Sequence, residues 1–265
     1  MADATMTTTR PSRLAVYLPR LGFWLAILAG VLLALAPIGW RTGVIHFRTA
    51  FWNLMEPAAF VGAGAAVISL LALLWWGRQS NGARLMTLFG LVVGAIFVYY
   101  PVQFYAKILP IPILGNKPLP LIHDITTDMA NPPVFVATLA ARKAEDGNAV
   151  AYDPKVGEQQ VAAYGFVLPL KTALAPAEAF KRALATAQGM AGWTIVKSDP
   201  AAGTIEGSQR TLFMGFTDDF VIRVSADGSG SRIDMRSESR QGRSDFGVNA
   251  KRIQRFMEAL KPGLG

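Results

Sequence analysis

Cysteine is absent from the 265 residues, and histidine occurs twice, at His46 and His123. The first absence excludes disulfides, thiol nucleophiles and zinc–thiolate centres. The second leaves little room for histidine-based acid–base chemistry. Charge is scarce too, at 17% of residues, against roughly 25% in an average soluble domain. The scarcity is one-sided. From Met1 to Lys117 nine Lys/Arg accompany two acids, Asp3 and Glu56, whereas from Pro118 to Gly265 seventeen Lys/Arg accompany sixteen acids. The net charge of +8 therefore sits beside apolar runs rather than on a soluble face. That distribution fits topology-setting charge and argues against nucleic-acid binding.

What the first part has instead is long apolar runs. Residues 21–40 hold no charge, and at 1.5 Å per residue they cover about 30 Å, the thickness of a hydrocarbon core. Residues 57–76 and 85–103 are of the same kind. Trp40, Trp75, Trp76, Tyr99, Tyr100 and Tyr105 stand at the run ends, where amphipathic rings prefer to lie. These features predict a three-helix transmembrane bundle over 1–106, with the lipid bilayer as its partner. Arg10, Arg13, Arg20, Arg78 and Arg84 lie on one side of the spans, and Arg41, Arg48, Lys107 and Lys117 on the other. Five against four, with the N-terminal segment dominant, places the N-terminus in the cytoplasm. The expected location is a cell inner membrane, multi-pass, with the C-terminal domain in the periplasm. Gly62/Ala66 and Gly90/Gly94 are small-residue pairs suited to close helix approach, within the bundle rather than across a dimer seam. Residues 41–56 place Val44, Phe47, Phe51 and Leu54 at helical spacing, as in an interfacial helix.

Prolines at 110, 112, 118 and 120 favour extended backbone and predict a stiff stem over 107–133. The soluble domain is expected over 134–265. In it, the polar run 142–160 reads as an exposed loop and 162–168 as a short strand. Pro176 opens a helix with Phe180, Leu184 and Ala187 on one face. Four strands follow, near 193–198, 204–209, 220–225 and 232–237, joined by turn-rich loops. A last helix over 246–260 is capped by Ser244 or Asp245, with Phe246, Ile253, Phe256, Met257 and Leu260 inward and Lys251, Arg252 and Arg255 outward. The fold class is α+β: an antiparallel sheet with two helices packed on one face. Trp193, Phe220, Ile233, Phe246, Ile253 and Phe256 are expected to share its core.

Four segments carry a resemblance: Ile122–Asp128 (IHDITTD), Asn131–Phe135 (NPPVF), Phe213–Arg223 (FMGFTDDFVIR) and Arg236–Arg252 (RSESRQGRSDFGVNAKR). Over about residues 118–262 the chain resembles the uncharacterised family catalogued as domain of unknown function 1499. The resemblance implies a small membrane or exported protein and brings no established activity with it.

The candidate chemistry is thin. Asp218 and Asp219 are adjacent, so on a strand they point to opposite faces and cannot form a facing acid pair without a bulge. Between Arg232 and Arg255 seven Lys/Arg accompany three acids. Gly242-Arg243-Ser244-Asp245 leads into a helix start, which favours anions. Arg236, Arg240, Arg243, Ser244, Asp245, Asn249, Arg252, Asp218 and Asp219 are therefore the candidate ligand-binding set, for an anionic small molecule or lipid head group. The alternative for the same residues is a capping and salt-bridge network. His123, Asp124 and Asp128 lie too close together on a proline-rich stem for a known metal geometry, and no metal or cofactor is expected. Nucleophile-elbow, Walker and His-Glu-x-x-His patterns are missing. Two functions remain: a membrane-tethered, non-catalytic module for a ligand or a membrane protein partner, and an envelope enzyme acting on an anionic metabolite or lipid head group.

Overall fold

The computed structural model describes residues 12–109 and 117–264, the side chain of Ile108 excepted. Arg10, Pro110 and Pro112 lie outside the described residues. The chain forms two compact units, the first ending at Ala106 and the second beginning at Lys107.

The first unit has three helices long and apolar enough to cross a bilayer, Arg13–Arg41, Phe47–Arg78 and Asn81–Lys107. Helix α1 (Arg13–Arg41) passes through Pro19 and Pro37 without breaking. The second helix is composite. A short α2 (Phe47–Thr49) runs through a π turn (Ala50–Met55) into α3 (Glu56–Ala72), and a 3-10 turn (Leu73–Arg78) ends it. Residues 47–55 thus continue a long helix rather than forming a separate interfacial one. Helix α4 (Asn81–Ile108) is the third. The small residues act within the bundle. A Cβ on Gly94 would stand 2.5 Å from Ala66 N and 2.7 Å from Gly62 O, and one on Gly90 would press on Ser69 Oγ and the Gly22 backbone. Backbone-to-backbone approach of this kind is how apolar helices gain van der Waals contact in lipid.

The second unit is built on a six-stranded antiparallel sheet. Strands β3 (Trp193–Asp199), β4 (Thr204–Arg210), β5 (Thr217–Asp227) and β6 (Gly230–Ser239) form a meander. The far edge of β6 is shared by two short strands, β1 (Asp124–Thr126) on Arg236–Glu238 and β2 (Leu170–Thr172) on Ser231–Ile233. Residues 124–126, expected in the stem, therefore belong to the sheet. Helices α7 (Pro176–Gly189) and α8 (Val248–Leu260) pack on one face. Strict alternation makes that face: Phe220, Ile222 and Val224 of β5 and Ile233 and Met235 of β6 meet Phe180, Ala183, Ile253 and Phe256, and Trp193 packs against them.

Three expectations fail here. Residues 142–160 are a loop only in their middle, because α5 (Leu139–Ala144) and α6 (Lys155–Tyr164) flank it, and 162–168 hold the end of α6 and a turn rather than a strand. Phe246 is not in the core, because it takes a left-handed φ of 52° in the turn before α8. Arg252 points inward, drawn by Asp218.

Candidate functional site

Alternation along β5 and β6 sends their charges to two different places. Asp218 and Asp219 do face opposite sides. On the helix side, Asp218 Oδ2 accepts from Arg252 Nη2 at 2.6 Å. Arg252 also donates to Gln209 Oε1 at 2.9 Å, to Ser237 Oγ at 3.0 Å, and to Asn249 Oδ1. Asn249 Nδ2 in turn donates to His123 O at 2.9 Å and to Ser239 Oγ at 3.0 Å. This layer pins α8 to the sheet. The helix N-terminus is already filled: Asp245 accepts from Gly247 N at 2.8 Å and from Asn249 N at 2.7 Å. Burial pushes the Asp245 carboxyl up, and the two backbone N–H groups oppose it. Ser244 Oγ accepts from Phe246 N at 3.2 Å, so it shapes the turn before the helix.

The opposite face of the sheet carries the denser network, and it too is buried. Arg240 grips Asp219 through Nε at 2.9 Å and Nη2 at 2.8 Å, and reaches Glu145 Oε1 at 2.7 Å. Arg142 joins the same carboxylate at 2.9 Å. Arg236 holds Asp124 by a fork of 2.9 and 2.7 Å and donates to Val150 O at 2.8 Å. Its guanidinium lies 4.9 Å from the centre of the Phe135 ring, with that of Arg142 at 5.4 Å. Further along, Asp234 binds Arg232 at 2.8 Å and Arg223 at 3.2 Å, while Arg223 also takes Asp128 at 2.8 Å. Bidentate, charge-assisted pairs are the strong kind.

Sheet register aligns three carboxylates in one row. Glu238 lies opposite Asp219 on one side and Asp124 on the other. Arg240 and Arg236 take the outer two. Glu238 is fully buried and neither of its oxygens accepts an aligned hydrogen bond among the described residues, although Arg142 Nη2 is 2.8 Å from Oε1. Burial pushes its carboxyl up to about 8, and Asp124 and Asp219 add to that against Arg142 and Arg236. The ion-pair distance and the raised value pull opposite ways. Burial prevails, because the Arg142 N–H groups point at Asp219 and Asn148 O instead.

The candidate set thus divides. Asp218, Asn249, Arg252 and Asp245 form the helix-side layer, while Arg236, Arg240 and Asp219 belong to the opposite face. Arg243 is exposed, and no ion pair engages it among the described residues. The set does not converge on one pocket, and three of its four arginines are neutralised by internal acids. Asp124 and Asp128, weighed as metal ligands with His123, are held by arginines. Burial pushes the His123 imidazole down, toward its neutral form.

Sequence reasoning missed Arg142, Glu206 and Gln160. Arg142, expected on a loop, is 3% exposed. Glu206 accepts backbone N–H from Val136, Ala137 and Thr138 at 2.9–3.3 Å, which fastens the 131–138 strap over the face opposite the helices. Gln160 of α6 bonds both N and O of Thr126, at 3.0 and 2.7 Å, serving as the missing neighbour of edge strand β1. Of this strap, only Phe135 and its Asn131–Phe135 segment carried a signal, through the family resemblance.

The family profile of a protein of unknown function, DUF1499, matches residues 124–260, just over half of the chain. The chain belongs to that family. No curated protein matches it. Among solved structures, TTHA0849 from Thermus thermophilus aligns at 12% identity over 36% of this chain and 90% of that one, with a TM-score of 0.21. A score so low carries no argument.

Proposed function

We propose that the chain is an integral inner-membrane protein whose C-terminal unit is a non-catalytic binding or interaction module held outside the cytoplasm. Three apolar helices and an N-terminal run of arginines support that placement. The observation that carries the non-catalytic reading is the neutralisation of the sheet's chemistry-bearing side chains. Asp218, Asp219, Asp124, Arg236, Arg240 and Arg252 are each buried and engaged by one another or by Arg142. A catalytic acid or base must reach substrate within hydrogen-bond distance, and these are spent on the fold. The unit's outer surface instead offers apolar side chains, with Leu212 93%, Val134 67%, Leu168 63% and Val136 62% exposed.

Purification of the full chain in detergent, with mass spectrometry of bound lipids, metabolites and proteins, tests the reading. A partner lost on Leu212→Asp or Val134→Asp, with the fold retained, is the expected result. Turnover of an anionic head group, abolished by Asp219→Asn in a folded protein, would establish the enzyme alternative instead.

A further inference from the structure

The arginines of the helical unit are in the opposite situation to those of the sheet. Between the start of α1 and the turn leading into α4 lies a recess of about 860 Å³, lined by Ser12, Arg20, Arg78, Gln79 and Ser80 among others. Its floor is rigidly made. Gln79, 6% exposed, donates to Ala72 O at 2.6 Å and accepts from Thr87 Oγ1 at 3.0 Å. Arg84 donates to Trp76 O at 3.2 Å with its guanidinium 5.3 Å from a Trp76 ring centre. The turn that bears Arg78 is thereby fixed on both flanks.

Among the described residues of this unit, Arg20 and Arg78 have no carboxylate to meet. Glu56 is the only acid among the described residues of this unit. It lies twenty-two residues before Arg78 on the same composite helix, and that length of helix covers more than about 30 Å. Two guanidinium groups therefore share one recess without a counter-charge among the described residues, which favours an external anion. The flanks say which kind. Leu14, Tyr17 and Leu21 of α1 and Leu85 of α4 are exposed apolar side chains beside the recess residues in sequence, a surface for acyl chains rather than for water. Basic pockets between membrane helices bind anionic head groups for these reasons.

We propose that this recess binds the phosphodiester of an anionic phospholipid, with Arg20 and Arg78 donating to its oxygens and the acyl chains lying along α1 and α4. The proposal rests on the reading that the three helices cross a bilayer. The test places the full chain in nanodiscs of dioleoylphosphatidylcholine with a minor share of dioleoylphosphatidylglycerol. Native mass spectrometry then counts the lipids that remain bound. Phosphatidylglycerol should be retained preferentially by the wild type. Retention should fall about tenfold in R20Q/R78Q, equivalent to about 1.4 kcal/mol. It should stay within about twofold of wild type in R41Q/R48Q, where the same charge is removed away from the recess, and R20K/R78K should keep more than the Gln pair. The single variants R20Q and R78Q, at exposed sites, carry the same prediction at about threefold should the double variant not fold. Equal retention by wild type and the Gln variants overturns the proposal, as does an equal loss in R41Q/R48Q. In lipid-free detergent, phosphatidylglycerol should raise the thermal midpoint where inorganic phosphate does not; an equal shift by phosphate defeats the lipid assignment. A chain washed from membranes at alkaline pH fails the membrane reading, whereas one that stays embedded yet ignores phosphatidylglycerol fails this proposal alone.

Discussion

Replacing Glu238 by Gln should stabilise the C-terminal unit above neutral pH and leave it nearly unchanged near pH 5. The register sets Glu238 between Asp219 and Asp124, and like charges directly across a ladder are unfavourable. Arg240 and Arg236 quiet the outer two, and the middle carboxyl keeps its proton up to about 8 because burial penalises the ionised form. In the unfolded chain that group ionises at its ordinary value of 4.5. The folded state therefore binds a proton that the unfolded state has lost. Stability from this group is complete below the lower value and drains as pH rises toward the upper one. The slope is at most about 1.4 kcal/mol per pH unit across the window, so the whole effect is bounded at roughly 5 kcal/mol. Gln has no proton to lose and removes the slope. Urea midpoints from pulse proteolysis of the full chain in detergent, at pH 5 through 9, measure the difference. The variant should match wild type at pH 5 and exceed it by a few kcal/mol at pH 9. If Glu238→Gln were equal or weaker at pH 9, the carboxylate would be ionised and its contact with Arg142 would outweigh burial.

Arg142→Ala should destabilise this unit by about 1–3 kcal/mol, because the buried Asp219 carboxylate loses one of its two guanidinium partners and a charge-assisted hydrogen bond; a shift within about 0.5 kcal/mol, what a surface position gives, in urea would return Arg142 to the surface. Phe256, fully buried against Trp193 and the sheet, should cost about 3–5 kcal/mol on truncation to Ala, read by the same assay. Gly94→Val should lower the thermal midpoint of the helical unit in detergent by the equivalent of about 1–3 kcal/mol, since the new side chain meets the Ala66 and Gly62 backbone and overpacks the seam.

Hydrophobic periodicity carried most of the fold. The three apolar runs, the four-strand meander and both sheet-packing helices were readable because each buries a regular stripe or alternate face. The opposite facing of Asp218 and Asp219 was readable from the pleat alone. The region from 124 to 164 was not. Strand β1 is only three residues long and lies among prolines. The polar α6 has little stripe to read, since it buries Gly157, Gln160 and Tyr164 and leaves most of the rest to water. Arg142 looked like a solvent charge because its partner Asp219 is 77 residues away, beyond the reach of local pattern. For the same reason the arginine-rich segment read as a surplus of positive charge. Its neutralising acids, Asp124, Glu145 and Asp219, come from elsewhere in the chain.

Placement of the C-terminal unit outside the cytoplasm is the central claim, and the absence of cysteine makes it directly measurable. Ser198→Cys on exposed strand β3 and Asn81→Cys at the exposed start of α4 each add a single thiol. A membrane-impermeant maleimide applied to intact spheroplasts should label Ser198→Cys at once and Asn81→Cys only after lysis. Labelling of Asn81→Cys in intact spheroplasts, with Ser198→Cys protected until lysis, would contradict the account.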